Sequence, residues 1–358
     1  MKHIQTAYET CCKLLPGIFT LSLALSCIPL FRGIQSMRDI SAPELIEVMQ
    51  PDEHTLTLTF DQEIQGEADN FIPHEGFSLD DMSIEANVLH MHISKADDPG
   101  KEYIIEGVVQ DLSSNELWFF IPFYGFNGNS AELVISEFIN ENSSSRYEKV
   151  EFYVKKGGNL GGITVYNGAA TEYKSNIVLA SQEVNEGDFL IVHFRSQEGS
   201  SEETGEIDEY GPPSDDVLNE AFSPQAIAGT RDFWATGGQG LSDTNGAVSV
   251  YYTPAGNAPF MDAAVYSNRS YDPDDKYGSF GTAYTWTVMQ EIFAAGGWVS
   301  EYDMIRPEDC IRTEPSTSTR SINRDQLFSD TDSPEDWHIV PTGQSSFGAV
   351  NSMEVHEQ

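Results

Sequence analysis

Basic residues are scarce. Lys and Arg number 19 against 57 Asp and Glu in 358 residues, a formal charge of −38. With no basic surplus to displace counterions, the composition argues strongly against binding DNA or RNA through phosphates, and it disfavours charge-driven docking on an anionic membrane. Cysteine is sparse as well. There are four, with no C-x-x-C pair, which argues against a structural zinc site or a thioredoxin-type redox motif. Catalytic signatures are missing too: no G-x-S-x-G elbow, H-E-x-x-H, Walker A or G-x-G-x-x-G occurs. The Gly237-Gly-Gln-Gly240 cluster lacks the third glycine and precedes a strand, so it reads as a turn.

What is present belongs to a folded chain. Hydrophobic residues make up 39% and aromatic residues 11%, a balance that a disordered acidic tail lacks. The length suits two or three domains. The apolar run Leu14–Ser26 is too short for a confident transmembrane helix and has the length of a secretory h-region. It ends in Ala24-Leu25-Ser26-Cys27, which resembles a bacterial lipobox. The resemblance implies a signal peptide over residues 1–26, lipid on Cys27 and a tether over 27–42. An ordinary signal peptide, or a cytosolic buried helix with Cys27 merely buried, are the alternatives. Lipoprotein processing implies an exported, membrane-anchored envelope protein whose membrane partner is reached through the N-terminal lipid. Ile28-Pro29 carries no acidic retention signal, which tilts the expectation toward the outer membrane or cell surface. Removing residues 1–26 takes away two basic residues and one acidic residue, so the acidity belongs to the exported part. Only Cys310 would remain as a thiol, with no intramolecular partner.

From residue 43 the pattern alternates. In Thr55–Phe60, Leu56, Leu58 and Phe60 share one strand face. Leu89, Met91 and Ile93 repeat this, and Tyr103–Val109 follows the turn signal Asp97-Asp-Pro-Gly100. Short strands between turns predict a β-sandwich over 43–129. Pro43–Val48, Thr55–Phe60, Pro99–Tyr103 and Val109–Asn115 resemble the bacterial Ig-like domains of envelope proteins, which implies a spacer module.

A second block begins at Ala131 with Glu-Leu-Val-Ile-Ser-Glu-Phe138. It continues through Val150–Val154, Asn159–Gly162, Val184–Val192, Gly246–Tyr251 and Asp262–Tyr266, and closes on Ser318–Arg324, Asp336-Trp337 and Ser346–Asn351. This order is similar to the lamin-tail domain, an Ig-like β-sandwich, over about residues 131–353. The family's Trp after the Leu-x-Gly turn is replaced here by the Ile163 segment. Two insertions interrupt the block. Residues 197–220 hold nine acidic and no basic residues and read as a solvated loop. Residues 271–319 contain one predicted helix, Ala283–Ala295, with Tyr284, Val288 and Ile292 on one face and Gly296-Gly297 ending it. The fold expected is all-β: two Ig-like β-sandwiches in tandem, the second with long insertions including one helix.

Few residues suggest chemistry. His90 and His92 share one strand face; with Leu89, Met91 and Ile93 on the core face they read as a solvent-facing pair, and the other reading, a two-histidine metal site, lacks a third ligand that can be placed. Asp272, Asp274 and Asp275 are either a solvated turn or carboxylates around a calcium ion, the one cofactor left open; they lack the spacing of an EF-hand loop. Trp118–Phe126 is apolar at both parities, as expected for a strand buried between layers or at a domain junction; the other reading is an aromatic platform for a glycan or peptide. Trp286, Trp298 and Trp337 are expected to anchor the insertions. The function expected is therefore non-enzymatic: adhesion, scaffolding or ligand presentation toward a protein or glycan partner. The alternative is an exported nuclease- or phosphatase-type hydrolase, or its accessory module, because lamin-tail-like domains occur beside such enzymes. Fold analogy alone carries little weight there.

Overall fold

The computed structural model describes residues 40–357 apart from 75, 142, 144–147, 195–229, 236–238 and 255–257. The expected signal peptide, Cys27, most of the tether and the acidic loop 197–220 lie outside the described residues. Within them the chain is all-β with a single α-helix, and no helix there is long and apolar enough to cross a membrane.

The first unit comprises β1 (Leu45–Asp52), β2 (Thr55–Phe60), β3 (Ile64–Gln65), β4 (Phe71–Pro73), β5 (Ser78–Glu85), β6 (Val88–Ser94), β7 (Glu102–Asp111) and β8 (Glu116–Tyr124). One antiparallel sheet runs β1-β2-β6-β5; in the other, β3 and β4 share one side of β7 while β8 lies on its far side. The predicted inward residues Leu56, Leu58, Phe60, Leu89, Met91 and Ile93 meet Phe71, Tyr103, Ile105, Val109, Ile121 and Phe123 from the facing sheet in one core. Period-two alternation puts every second side chain on the same face, so the two sheets close as a sandwich.

The second unit comprises β9 (Glu132–Ile139), β10 (Lys149–Lys156), β11 (Gly158–Asn159), β12 (Thr164–Gly168), β13 (Tyr173–Val178), β14 (Glu183–Val184), β15 (Phe189–His193), β16 (Arg231–Trp234), β17 (Asn245–Tyr251), β18 (Phe260–Ser267), α1 (Ala283–Ala294), β19 (Ile311–Arg312), β20 (Ile322–Arg324) and β21 (Trp337–Ile339). A sheet in the order β16-β15-β10-β9-β20-β21 faces another in the order β13-β12-β17-β18-β19 across a second, larger core. The helix forms where the four-residue repeat predicted it. Thr282 caps it by accepting the Thr285 N–H at 3.1 Å, Val288, Met289 and Ile292 are buried in the core, and Gly296 at φ +76 ends it.

The two units touch through glycine. Asn127 Nδ2 donates to the carbonyls of Asn159 at 2.9 Å and Gly161 at 2.8 Å. A Cβ on Gly161 would sit 2.4 Å from the Pro99 carbonyl oxygen, so the Asp97–Gly100 turn rests directly on that backbone.

Candidate functional site

Charged residues in the middle of β-strands normally face water. On β9 and β10 they do not. Val150, Phe152 and Val154 point into the core, so Lys149 and Glu151 stand on the outer face of the sheet. A bulge on β9 places an extra residue opposite β10, and both Ser136 and Glu137 then make outer-face contacts while Ile135 and Phe138 remain in the core. The C-terminal segment beyond Val340 folds over this face and buries it.

That segment is held by carboxylates. Glu137 accepts the Ser346 N–H at 3.0 Å on each oxygen and the Ser346 hydroxyl at 2.7 Å. Glu151 accepts the Ser136 hydroxyl at 2.7 Å and also the Gly348 N–H. Phe347 packs on the same sheet against Ile139 and Ile191, with Lys149 Nζ 4.3 Å from its ring centre. Asn351 Nδ2 donates to the carbonyls of Ser136 at 2.7 Å and Arg324 at 3.0 Å. Burial pushes the Glu137 carboxyl up to about 7 against the bonds from Ser321 and Ser346. Burial, and then the neighbouring Glu137 charge, push Glu151 well above the carboxylate range. Two adjacent carboxyls in such a site hold a proton that exposed ones would have lost. Their acceptor positions are taken by the strap, which makes this a latch.

Two further charged groups are equally committed. Arg324 Nη2 bridges both Asp262 oxygens at 3.0 Å, Nη1 meets Asp330 at 2.7 Å, and the guanidinium stacks 4.6 Å from the Trp337 ring. Burial works against the charge, but Asp262 and Asp330 outweigh it and hold the guanidinium above its ordinary value. Asp262, Asp330 and Asp332 form the one group of three carboxylates at metal-sharing distance among the described residues, and Arg324 already supplies the cation to two of them. His193 Nε2 lies 2.7 Å from Asp232 Oδ1, both buried. Cys310 is a buried thiol whose pKa burial raises, unlike a reactive cysteine.

The structure does not assemble the calcium candidates. Asp272, Asp274 and Asp275 are all exposed. Asp272 Oδ1 accepts the Asp274 N–H at 3.0 Å and its carbonyl accepts the Asp275 N–H at 3.1 Å, so the segment is a self-bonded turn. The three carboxylates form no metal-sharing group. His90 and His92 border one shallow pocket with Thr55, Asp81 and Ser83, but no third ligand joins them among the described residues: His90 Nδ1 lies 3.5 Å from Thr57 Oγ1, while His92 stacks on His54 and lies 3.7 Å from Asp80.

The aromatic stretch is corrected most sharply. Its strand is buried on one face only. Ile121 and Phe123 enter the core, whereas Trp118 is 68% and Phe120 58% exposed. Cross-strand from them lie Val108 and Glu106 on β7, and Ile72 on β4, 55% exposed, stands opposite Glu106. Trp118 Nε1 donates to Glu116 at 3.3 Å; Phe120 meets the His74 ring edge-on at 5.0 Å, and His74 Nε2 lies 3.4 Å from Glu106. A cavity of about 410 Å³ adjoins this face, lined by Gln65, Glu67, Asn70, Gln110 and Glu116 around Val108. It exists because β7 changes partner there: Gln110 pairs with β3 and Gly107 with β4, leaving Val108 and Val109 between them unpaired on that side. By contrast Trp298 and Trp286, both in the second insertion, hold it to the core as expected, Trp298 donating to the Asp309 carbonyl at 2.7 Å, whereas Trp337 anchors no insertion: it opens β21 and meets Phe138 edge-on at 5.5 Å.

A crystal structure of a DUF4876 family protein from Bacteroides thetaiotaomicron aligns over 89% of this chain and 94% of its own at 12% identity, with a TM-score of 0.27, a likeness too loose to bear on fold or function. An uncharacterised protein of Treponema pallidum (strain Nichols) is 27% identical over 213 residues, 57% of this chain; the chain thus spans about half, 49%, of that relative's length. Residues 131–339, more than half of the chain and most of the second sandwich, match the model of the TP_1001 protein second domain, and the chain belongs to that family.

Proposed function

We propose that this chain is a non-enzymatic, lipid-anchored protein of the bacterial cell envelope that holds out a binding surface, in adhesion, scaffolding or ligand presentation. The observation that carries the reading is the uncovered Trp118–Phe120 face of the first sandwich. Burying one such ring is worth about 1.5–3 kcal/mol. Two of them, in register on one sheet face, are the kind of anchors that binding surfaces use. The second sandwich supports the same reading from the other side. Its buried carboxylates and Arg324 are occupied by bonds within the chain, so they are poorly placed to act on a substrate.

In this reading Cys27 carries the anchor, and the two sandwiches, Ig-like and lamin-tail-like, set the distance from the membrane. Metabolic labelling with a fatty acid should mark the wild type and spare Cys27→Ala. Beads coated with the full chain should be retained on immobilised polysaccharide or matrix protein, and Trp118→Ser/Phe120→Ser should lose about tenfold of that retention, as loss of a hot spot does. Equal retention by the two would defeat the proposal. So would robust turnover of nuclease or phosphatase substrates with divalent metals, lost on His92→Ala or Asp274→Asn.

A further inference from the structure

We propose that the β7–β8 face and its adjoining cavity form a binding site for a neutral oligosaccharide. The inference rests on the reading of the chain as a binding protein and assigns the ligand class. Three features of the site point there together.

The first is shape. Trp118 and Phe120 are two residues apart on one strand, so their rings project from the same face about 7 Å apart along it. Exposed rings spaced along a strand suit the apolar C–H faces of sugar rings, and a chain of sugars can lie along the row, with the His74 ring standing edge-on beside Phe120. Among the described residues no other ring packs on Trp118, so there is no closed aromatic cage of the sort that captures an ammonium group.

The second is the hydrogen-bonding rim. Gln65, Asn70 and Gln110 bring side-chain amides that each donate and accept, and Glu67 and Glu116 bring acceptors. Paired donors and acceptors beside an aromatic plane match vicinal hydroxyl groups, which also donate and accept. The cavity of about 410 Å³ has room for such groups beyond the edge of the platform.

The third is charge. The ionisable groups around the face are Glu67, Glu102, Glu106 and Glu116, with His74 already beside Glu106 at 3.4 Å. No Lys or Arg faces the site from β4, β7 or β8. Carboxylates without a cation repel sulfated, phosphorylated or uronic sugars, which leaves a neutral sugar once the missing aromatic cage has set aside an ammonium ligand. A peptide added as an extra strand fits less well: Pro122 removes a donor in the middle of the β8 edge and interrupts such a ladder.

The test is a titration of the purified full chain with cellohexaose, xylohexaose, mannohexaose and chitohexaose, followed by tryptophan emission and calorimetry. Heparin and poly-lysine serve as charged probes. At least one neutral hexasaccharide should bind and shift the emission. Trp118→Ala should weaken it about tenfold or more, the scale of losing a stacking anchor, and Gln110→Ala should weaken it severalfold. Trp118→Tyr should bind better than Trp118→Ala, which separates loss of the ring from any disturbance of the fold. Binding of none of the four up to about 10 mM, beyond the millimolar range of weak sites, overturns the sugar assignment. Poly-lysine binding that depends on Trp118, with no sugar binding, also overturns it while leaving the binding-protein reading intact. Failure of both the titration and bead retention removes the two together.

Discussion

The buried Glu137–Glu151 pair makes a prediction that can be worked through. Glu137 ionises near 4.5 when unfolded and at about 7 in the folded chain, because burial disfavours its charge. Between those values the folded chain binds a proton that the unfolded chain has released, so stability falls as pH rises through the window. A shift from 4.5 to about 7, at 1.36 kcal/mol per pKa unit, amounts to about 3 kcal/mol lost between pH 4.5 and 8. Glu151 shifts in the same direction and steepens the loss. In Glu137→Gln the side chain keeps its shape and one carbonyl acceptor, but its amide NH₂ now confronts the Ser346 N–H that the second oxygen accepted. At pH 5 the variant should therefore be less stable by about 1–3 kcal/mol, the cost of a mispaired buried polar group. It no longer titrates, and Glu151 is relieved of its neighbour's charge. The deficit should shrink with rising pH and reach zero or reverse by about pH 8.5. Urea unfolding followed by tryptophan emission at intervals from pH 5 to 8.5 reads this directly, since four of the five tryptophans belong to the second sandwich. Parallel stability curves for wild type and variant would refute the reasoning.

Three other outcomes are expected. Arg324→Lys cannot span both Asp262 oxygens and still reach Asp330, and should cost about 3–5 kcal/mol in denaturant unfolding, as breaking a buried charge network does. Gly161→Ala places a methyl 2.4 Å from the Pro99 carbonyl oxygen, and should speed amide exchange around 97–101 and 159–162 while leaving exchange in both sandwich cores unchanged. Asp274→Asn should leave any calcium-induced change in melting temperature as it is in the wild type, because its carboxylate shares no ion-sized site with Asp272 or Asp275.

The strands with one wet and one dry face were legible in the sequence. Leu56, Leu58 and Phe60, or Leu89, Met91 and Ile93, alternate with polar residues, and a period of two allows only one way to bury them. The helix over Ala283–Ala294 was legible for the same local reason, a repeat of four closed by glycine. Trp118–Phe126 was not, because both parities are apolar. Which parity stays in water depends on whether another layer covers the outer face of β7 and β8, and no neighbouring residue along the chain encodes that. Glu137 and Glu151 stayed hidden for the converse reason. A carboxylate within a strand reads as solvent-facing, and these are dry because Ser346, Phe347 and Gly348, about 200 positions further on, fold over them. The Ser346–Asn351 motif was visible as text, but its partners were not. Local periodicity thus determined which residues form sheets and which faces are apolar. The tertiary structure alone decided which faces are covered, since coverage depends on contacts between segments far apart in the chain.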